Sequence, residues 1–263
     1  MSIGPNSGQR RGNRTDFVRH ARHPSAFAPT AAEILDPGPF SPPGPPTMDA
    51  AERGLLDDVL ANPDDDEPRS RHAEWLSRKG DRRGQFIHQQ LEAAMQGTTS
   101  PAPDPAWLAV FAPWSAEDIV FRRGFAEEMS LSGRSFISLG AGLFQTTPLR
   151  SVRFVAVQHI FAELMACPLL ARLRRIDLWG NQIGPAGVAA LAACPHLGGL
   201  RELNLSRNGL GDEGALQILS APWLRQLTHL DVSDNNLTEA VENRLGRCRE
   251  PSGTQTLQNQ HLT

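Results

Sequence analysis

His72-Ala-Glu74 has the spacing of half a zinc centre, in which His ligates the metal and Glu moves a proton. The other half needs a Pro-Cys-x-x-Cys run, and here Cys167, Cys194 and Cys248 each stand alone. The pair is therefore expected to flank a helix whose Trp75 faces the core. Asp64, Asp65, Asp66 and Glu67 are carboxylates of the kind calcium prefers. A calcium loop, however, alternates its ligands around a Gly at the sixth position and ends on Glu at the twelfth. That spacing is absent, so the acids read as first-turn residues favoured by a helix dipole. Cys167 and Cys194 lie 27 residues apart and could form a redox pair; the simpler reading is two small buried apolar residues. No CxxC, GxSxG or GxxxxGK[ST] appears, and no nucleophile–base–orienter set. No catalytic residue, metal or cofactor is expected.

The spacing that dominates the chain is a 27-residue period. One copy is Leu173-Arg-Arg-Ile176-Asp-Leu178-Trp-Gly-Asn181-Gln-Ile183. The next runs from Leu200 through Leu203, Leu205 and Asn208 to Leu210, and a third from Leu227 through Leu230, Val232 and Asn235 to Leu237. Pro168, Pro195 and Pro222 keep the period, and Gly184 and Gly187 recur as Gly211 and Gly214. A degenerate earlier copy starts at Leu149 and has Val157 where the others have Asn. Each copy reads as a short strand followed by a helix such as Ala186–Ala193. One copy cannot bury its apolar face alone, and stacking pools the leucines. Asn181, Asn208 and Asn235 would satisfy backbone groups at the inward turn and align as a structural ladder.

The LxxLxLxxNxL pattern resembles the leucine-rich repeat, and its length and GxxG look most like the ribonuclease-inhibitor type. The resemblance implies an α/β fold: a short leucine-rich-repeat solenoid with parallel strands on a concave face and helices on a convex face. A second resemblance lies at residues 48–95. The LLDDVLANPDDDEPR run, AEWL and GDRRGQFI look like the bacterial repeat-companion domain, a small helical module that often precedes such repeats. That family usually has an aromatic residue and Asp around its Trp, where this chain has His72 and Glu74. Phe121–Leu131 and Pro148–Phe154 look like what usually follows in such proteins. Neither family carries one defined activity.

These elements imply a domain order. Residues 1–47 hold nine of the 21 prolines and read as a disordered Pro-rich extension, with Arg10, Arg11, Arg14, Arg19 and Arg22 making its first half basic; translation beginning at Met48 is an alternative. Residues 48–96 read as helical. Residues 97–148 read as a linker and N-terminal cap region, with strands suggested at Phe125, Met129 and Leu131 and a short helix or turn near Phe136–Phe144. Residues 149–248 hold the repeats, in copies starting near 149, 173, 200 and 227, closed by a cap helix Thr238–Cys248. Residues 249–263 read as a flexible tail. Lys79 is the single lysine among 26 basic residues, an Arg bias that fits genomic base composition better than Arg chemistry. A net charge of −3 gives no overall basic field for nucleic acid. No apolar run is long enough to span a membrane, and no signal-like segment opens the chain. With so few cysteines, a cytoplasmic monomer with reduced thiols is expected.

What remains is the strand surface, where alternation should turn the residues between leucines outward. The second position of each copy reads Arg150, Arg174, Arg201 and Thr228; the third, Ser151, Arg175, Glu202 and His229. The fifth reads Arg153, Asp177, Asn204 and Asp231; the seventh, Val155, Trp179, Ser206 and Ser233; the eighth, Ala156, Gly180, Arg207 and Asp234. The columns run from basic to acidic, with Trp179 near the middle. The expected contact set for a protein partner on the concave face is Arg150, Arg153, Arg174, Asp177, Trp179, Arg201, Asn204, Arg207, Asp231 and Asp234. The alternative for these side chains is ordinary solvation. The alternatives for function are a GTPase-activator-like regulator, which would need an Arg acting in trans, and a structural or relict protein without a partner. Four repeats offer a small face, so a standard interface of about 800 Å² per partner would need most of it or the helical region too.

Overall fold

The computed structural model describes residues 48–247. The expectations for residues 1–47, Cys248 and residues 249–263 lie outside them. Three helices come first: α1 (Ala50–Ala61), α2 (Glu67–Arg78) and α3 (Arg82–Gln96). Their boundaries follow from local chemistry. Asp49 caps α1 by accepting from the Glu52 N–H at 2.8 Å, and Asp81 caps α3 by accepting from Arg83 N–H at 2.9 Å. Pro68 sits in the first turn of α2, where its missing N–H costs nothing. Gly97 ends α3 in the left-handed region at φ 65°. A Cβ on Gly84 would lie 2.5 Å from the Ala73 carbonyl oxygen, so α2 and α3 pack this closely only because Gly84 has none. The inner stripe of α2 is Arg69, His72, Ala73 and Leu76. Trp75, expected to face the core, stands beside that stripe, half-buried, with the Lys79 ammonium 5.1 Å above its ring.

A short helix α4 (Pro105–Leu108) and a 3₁₀ turn at 109–114 lead to one six-stranded sheet. Strands β1 (Glu117–Arg122) and β2 (Phe125–Ser132) form an antiparallel hairpin. Then β3 (Ser151–Val155), β4 (Arg175–Asp177), β5 (Glu202–Asn204) and β6 (His229–Asp231) follow in sequence order, all parallel to β2. Between them run α5 (Gly133–Thr146), α6 (Phe161–Met165), α7 (Gly184–Ala192) and α8 (Gly211–Ile218), and α9 (Glu239–Arg247) closes the series. This is an α/β leucine-rich-repeat solenoid preceded by a helical region. Ile176 pairs with Val152 on one side and Leu203 on the other, and Leu203 with Leu230, so equivalent leucines stack in register.

The solenoid starts earlier than the repeat pattern indicates. Residues 125–146, within the segment read as linker and cap, supply a full strand–helix unit: β2 pairs in parallel with β3, and α5 joins the helix layer. Helix α5 is also longer than the turn expected at 136–144, because the Ser132 hydroxyl caps it by accepting from the Ser135 N–H at 3.0 Å. The unit lacks the repeat signature because Ala126 and Arg134 stand where the later copies have their first Leu and their Asn, although Met129 and Leu131 keep the two strand positions opposite Val152 and Phe154. One continuous core runs from Phe111 to Leu245 through the stacked rows Leu173–Leu200–Leu227, Ile176–Leu203–Leu230 and Leu178–Leu205–Val232. Cys167 and Cys194 lie in it; the Cys194 thiol donates to the Met165 carbonyl at 3.0 Å, and burial pushes its pKa up. A smaller cluster among α1, α2 and α3 takes in Phe125 from the hairpin.

Candidate functional site

Strand alternation, worked through residue by residue, sorts the expected contact set into two groups. A period of two turns the third, fifth and seventh positions to the same side and cannot turn the second there as well. The second-position arginines lie at the edge where the strands begin. Arg174 Nη1 donates to the Gly199 carbonyl at 2.7 Å, Arg201 Nη1 to the Gln226 carbonyl at 3.2 Å, and the Thr228 hydroxyl to the Arg201 carbonyl at 3.0 Å. Each fastens one repeat to its neighbour. Arg150 pairs with Asp64 of the helical region at 2.6 Å. Arg150, Arg174 and Arg201 are therefore separate from the concave face on which they were expected. The basic-to-acidic gradient fades with them.

The fifth position is held rigidly. Asp177, Asn204 and Asp231 each accept from the N–H two residues on, at Trp179, Ser206 and Ser233, at 2.9 Å in every case. Across the seventh position, Trp179 is 42% exposed and Val155, its equivalent one repeat earlier, 43%. The Arg153 guanidinium lies 5.2 Å from the Trp179 ring centroid and that of Arg207 5.6 Å. Arg207 also pairs with Asp234 through Nε at 2.8 Å, and Arg175 with Glu202 at 3.5 Å. The eighth position is left-handed in all four copies: Ala156 φ 53°, Gly180 φ 69°, Arg207 φ 56° and Asp234 φ 55°. There the chain leaves the strand and carries the next side chain inward.

That next side chain is the Asn of the ladder. Asn208 Nδ2 donates to the carbonyls of Leu178 at 2.9 Å and Leu205 at 2.8 Å, while its Oδ1 accepts from the Asn181 N–H at 3.1 Å. Asn235 Oδ1 accepts from the Asn208 N–H at 2.8 Å, and Asn181 Nδ2 donates to the Phe154 carbonyl at 2.8 Å. All three are buried. Val157 keeps the ladder's end by donating its backbone N–H to Asn181 Oδ1 at 3.3 Å.

The structure also holds a charged centre that sequence reasoning missed. Arg69 is fully buried. Its Nη2 lies 2.8 Å from Glu127 Oε1 and 2.7 Å from the Pro63 carbonyl, and its Nη1 reaches the Arg122 and Arg123 carbonyls at 3.3 and 3.2 Å. Burial lowers its pKa and the Glu127 carboxylate opposes that. Arg123 bridges Glu127 and Asp66, each at 3.1 Å. Asp64 and Asp66 thus tie the helical region to the sheet, a role beyond helix-dipole acids. Nearby, His72 is buried against Phe125 with neither ring nitrogen hydrogen-bonded. Burial, then Arg83, pushes its pKa down to about 4, with Asp81 opposing. Glu74 points outward to Arg78, so the H-x-E pair diverges. The signal for Arg69 lay in the DDDEPR run, but nothing local marks an Arg for burial.

Among the described residues no group of three or more His, Cys, Asp or Glu side chains is placed to hold a metal ion. None of their helices is long and apolar enough to cross a membrane. Residues 173–192 and 200–219 match a leucine-rich-repeat family model, and residues 226–248 match a second one. No curated protein matches the chain. Leucine-rich repeats generally mediate protein–protein interaction.

Proposed function

With a short stack of leucine-rich repeats as premise, we propose that this protein is a non-catalytic module that binds a protein partner on the concave face around Trp179. The observation that carries this reading is the exposed Trp179 ring held between the guanidinium groups of Arg153 and Arg207. A large aromatic surface fixed before binding loses little side-chain entropy on contact, and Trp with Arg is the composition of binding hot spots. Asp177, Asn204 and Asp231 beside it have their rotamers fixed by backbone N–H groups, which suits them to recognise rather than adapt. The contact set becomes Arg153, Asp177, Trp179, Asn204, Arg207, Asp231 and Asp234, with Arg175, Glu202 and His229 from the third position. The helical region, whose residues 48–95 resemble a companion domain, covers Phe125 and pairs Arg69 with Glu127, which supports a role for it as a cap on the first strands of the solenoid. The GTPase-activator reading has weaker support, since Arg153 and Arg207 lie against Trp179 and Arg175 against Glu202.

The test is affinity purification of the tagged chain from its own cells, with Trp179→Ala beside wild type and Arg174→Ala/Arg201→Ala as a second comparison. The expected result is a partner lost from Trp179→Ala by about tenfold or more and retained by the double variant, with melting temperatures unchanged for Trp179→Ala. A partner lost only from the double variant would move the interface to the strand-start edge.

A further inference from the structure

On the edge where the strands begin, away from Trp179, three arginines line one cleft of about 340 Å³. Arg150 and Arg174 come from adjacent repeats, and Arg172 from the 3₁₀ turn at 168–172. The opposite wall is the end of α1 and the loop after it, including Asp64, and buried Phe144 and Leu149 supply apolar surface. The Arg172 guanidinium stacks 4.4 Å from the Phe144 ring centroid, which leaves its in-plane N–H donors open. Among the described residues no carboxylate lies within ion-pair distance of Arg172 or Arg174. Arg150 has Asp64 at 2.6 Å, but its Nε is buried without a partner, and the Asp64 side chain is itself 78% exposed. Neighbouring arginines differ: Arg53, Arg71 and Arg123 all have carboxylate partners. Arg172 has a lowered pKa, through burial and then through repulsion by Arg150.

Three guanidinium groups against one carboxylate leave two positive charges uncompensated in a cleft with an apolar side. We propose that this cleft binds a phosphate dianion, free or as the phosphoryl group of a monoester, on the fork of Arg172 and on the donors of Arg174 other than Nη1, which serves the Gly199 carbonyl. A single carboxylate would neutralise one of the two charges, while a phosphate dianion neutralises both and offers oxygens to more than one planar fork. The bound anion competes with Asp64 for Arg150. It therefore acts on the joint between the helical region and the solenoid. This inference is independent of the concave-face reading.

The experiment is isothermal titration of the full chain, in phosphate-free buffer at constant ionic strength, with inorganic phosphate and with phenyl phosphate. Saturable one-to-one binding is expected. Arg172→Gln and Arg174→Gln should each weaken it about tenfold or more while circular dichroism shows the chain still folded, the lost Phe144 stack and Gly199 hydrogen bond lowering only the melting temperature. Asp64→Asn should tighten it, because the competing carboxylate is gone. Tighter binding of phenyl phosphate assigns the site to monoesters, and equal binding assigns it to the free ion. Binding that does not saturate at millimolar phosphate would overturn the proposal. So would Arg172→Gln and Arg174→Gln both behaving as wild type, or equal displacement by acetate at the same ionic strength.

Discussion

His72 shows how one side chain can record its surroundings as a pH dependence. The folded chain keeps it neutral down to about pH 4, against the ordinary histidine value of 6.5. Between those values the unfolded chain binds the proton and the folded chain does not. The stability from neutral His72 is therefore full above pH 6.5 and is lost as pH falls toward 4. Between pH 7 and 5 the loss is about 2 kcal/mol. Urea unfolding at both pH values should show it, and His72→Leu should flatten the difference; an unchanged difference would assign it to other groups. Asn208 gives a second residue-scale expectation. Its side chain serves two repeats at once, so Asn208→Ala leaves buried carbonyls and N–H groups unpaired and should cost about 2–4 kcal/mol in the same assay. Both effects come from groups 3% exposed or less. The tenfold effect expected of Trp179→Ala comes from a 42% exposed ring and belongs to binding alone.

Among the elements, the β1–β2 hairpin decides how the helical region meets the sheet. Its turn residue Gly124 adopts φ 88°, and a Cβ there would lie 2.4 Å from Ile87 of α3. Gln90 Oε1 accepts the Gly124 N–H at 2.8 Å. Arg69 on α2 then reaches past the turn to Glu127 on β2. Removing one partner of a buried ion pair leaves the other charge uncompensated. Arg69→Met should therefore cost about 3–5 kcal/mol, and Arg69→Met/Glu127→Leu should recover much of it. A double variant no more stable than the single would show that the backbone carbonyls around Arg69, rather than Glu127, dominate. The hairpin was only half legible in the sequence. Phe125, Met129 and Leu131 marked a strand, but the parallel pairing of β2 with β3 depends on where α5 returns the chain.

For the molecule as a whole, the solenoid has two ends to protect. At one end α9 puts Val241 and Leu245 into the core, while Thr238 bonds Asp212 of the preceding repeat at 2.8 Å. At the other, α1, α2 and α3 cover Phe125 and compensate Glu127. A chain beginning at Pro101 would expose both. It should melt about 5 °C lower, because Phe125 loses about 2 kcal/mol of burial at 2–4 °C per kcal/mol, and a differential scan reads this directly. An unchanged melting temperature would mean that the helices are an attachment rather than a cap.

The sequence by itself determined the repeat: its 27-residue period, the stacked leucines, the ladder of Asn181, Asn208 and Asn235, and the exposure of Trp179. These are legible because each copy repeats the same local solution, so three registers agree. Tertiary structure alone decided the rest. Arg150 meets Asp64, and Arg174 and Arg201 reach carbonyls of the next repeat, through contacts that no local pattern marks. Arg69 and His72 look like surface residues of a polar helix until the hairpin closes over them. The phosphate cleft exists only because α1 and the repeats, separate in sequence, bring Asp64 and three arginines together. Periodic contacts write themselves into the sequence; a junction made once, between distant segments, has no second copy against which to be read.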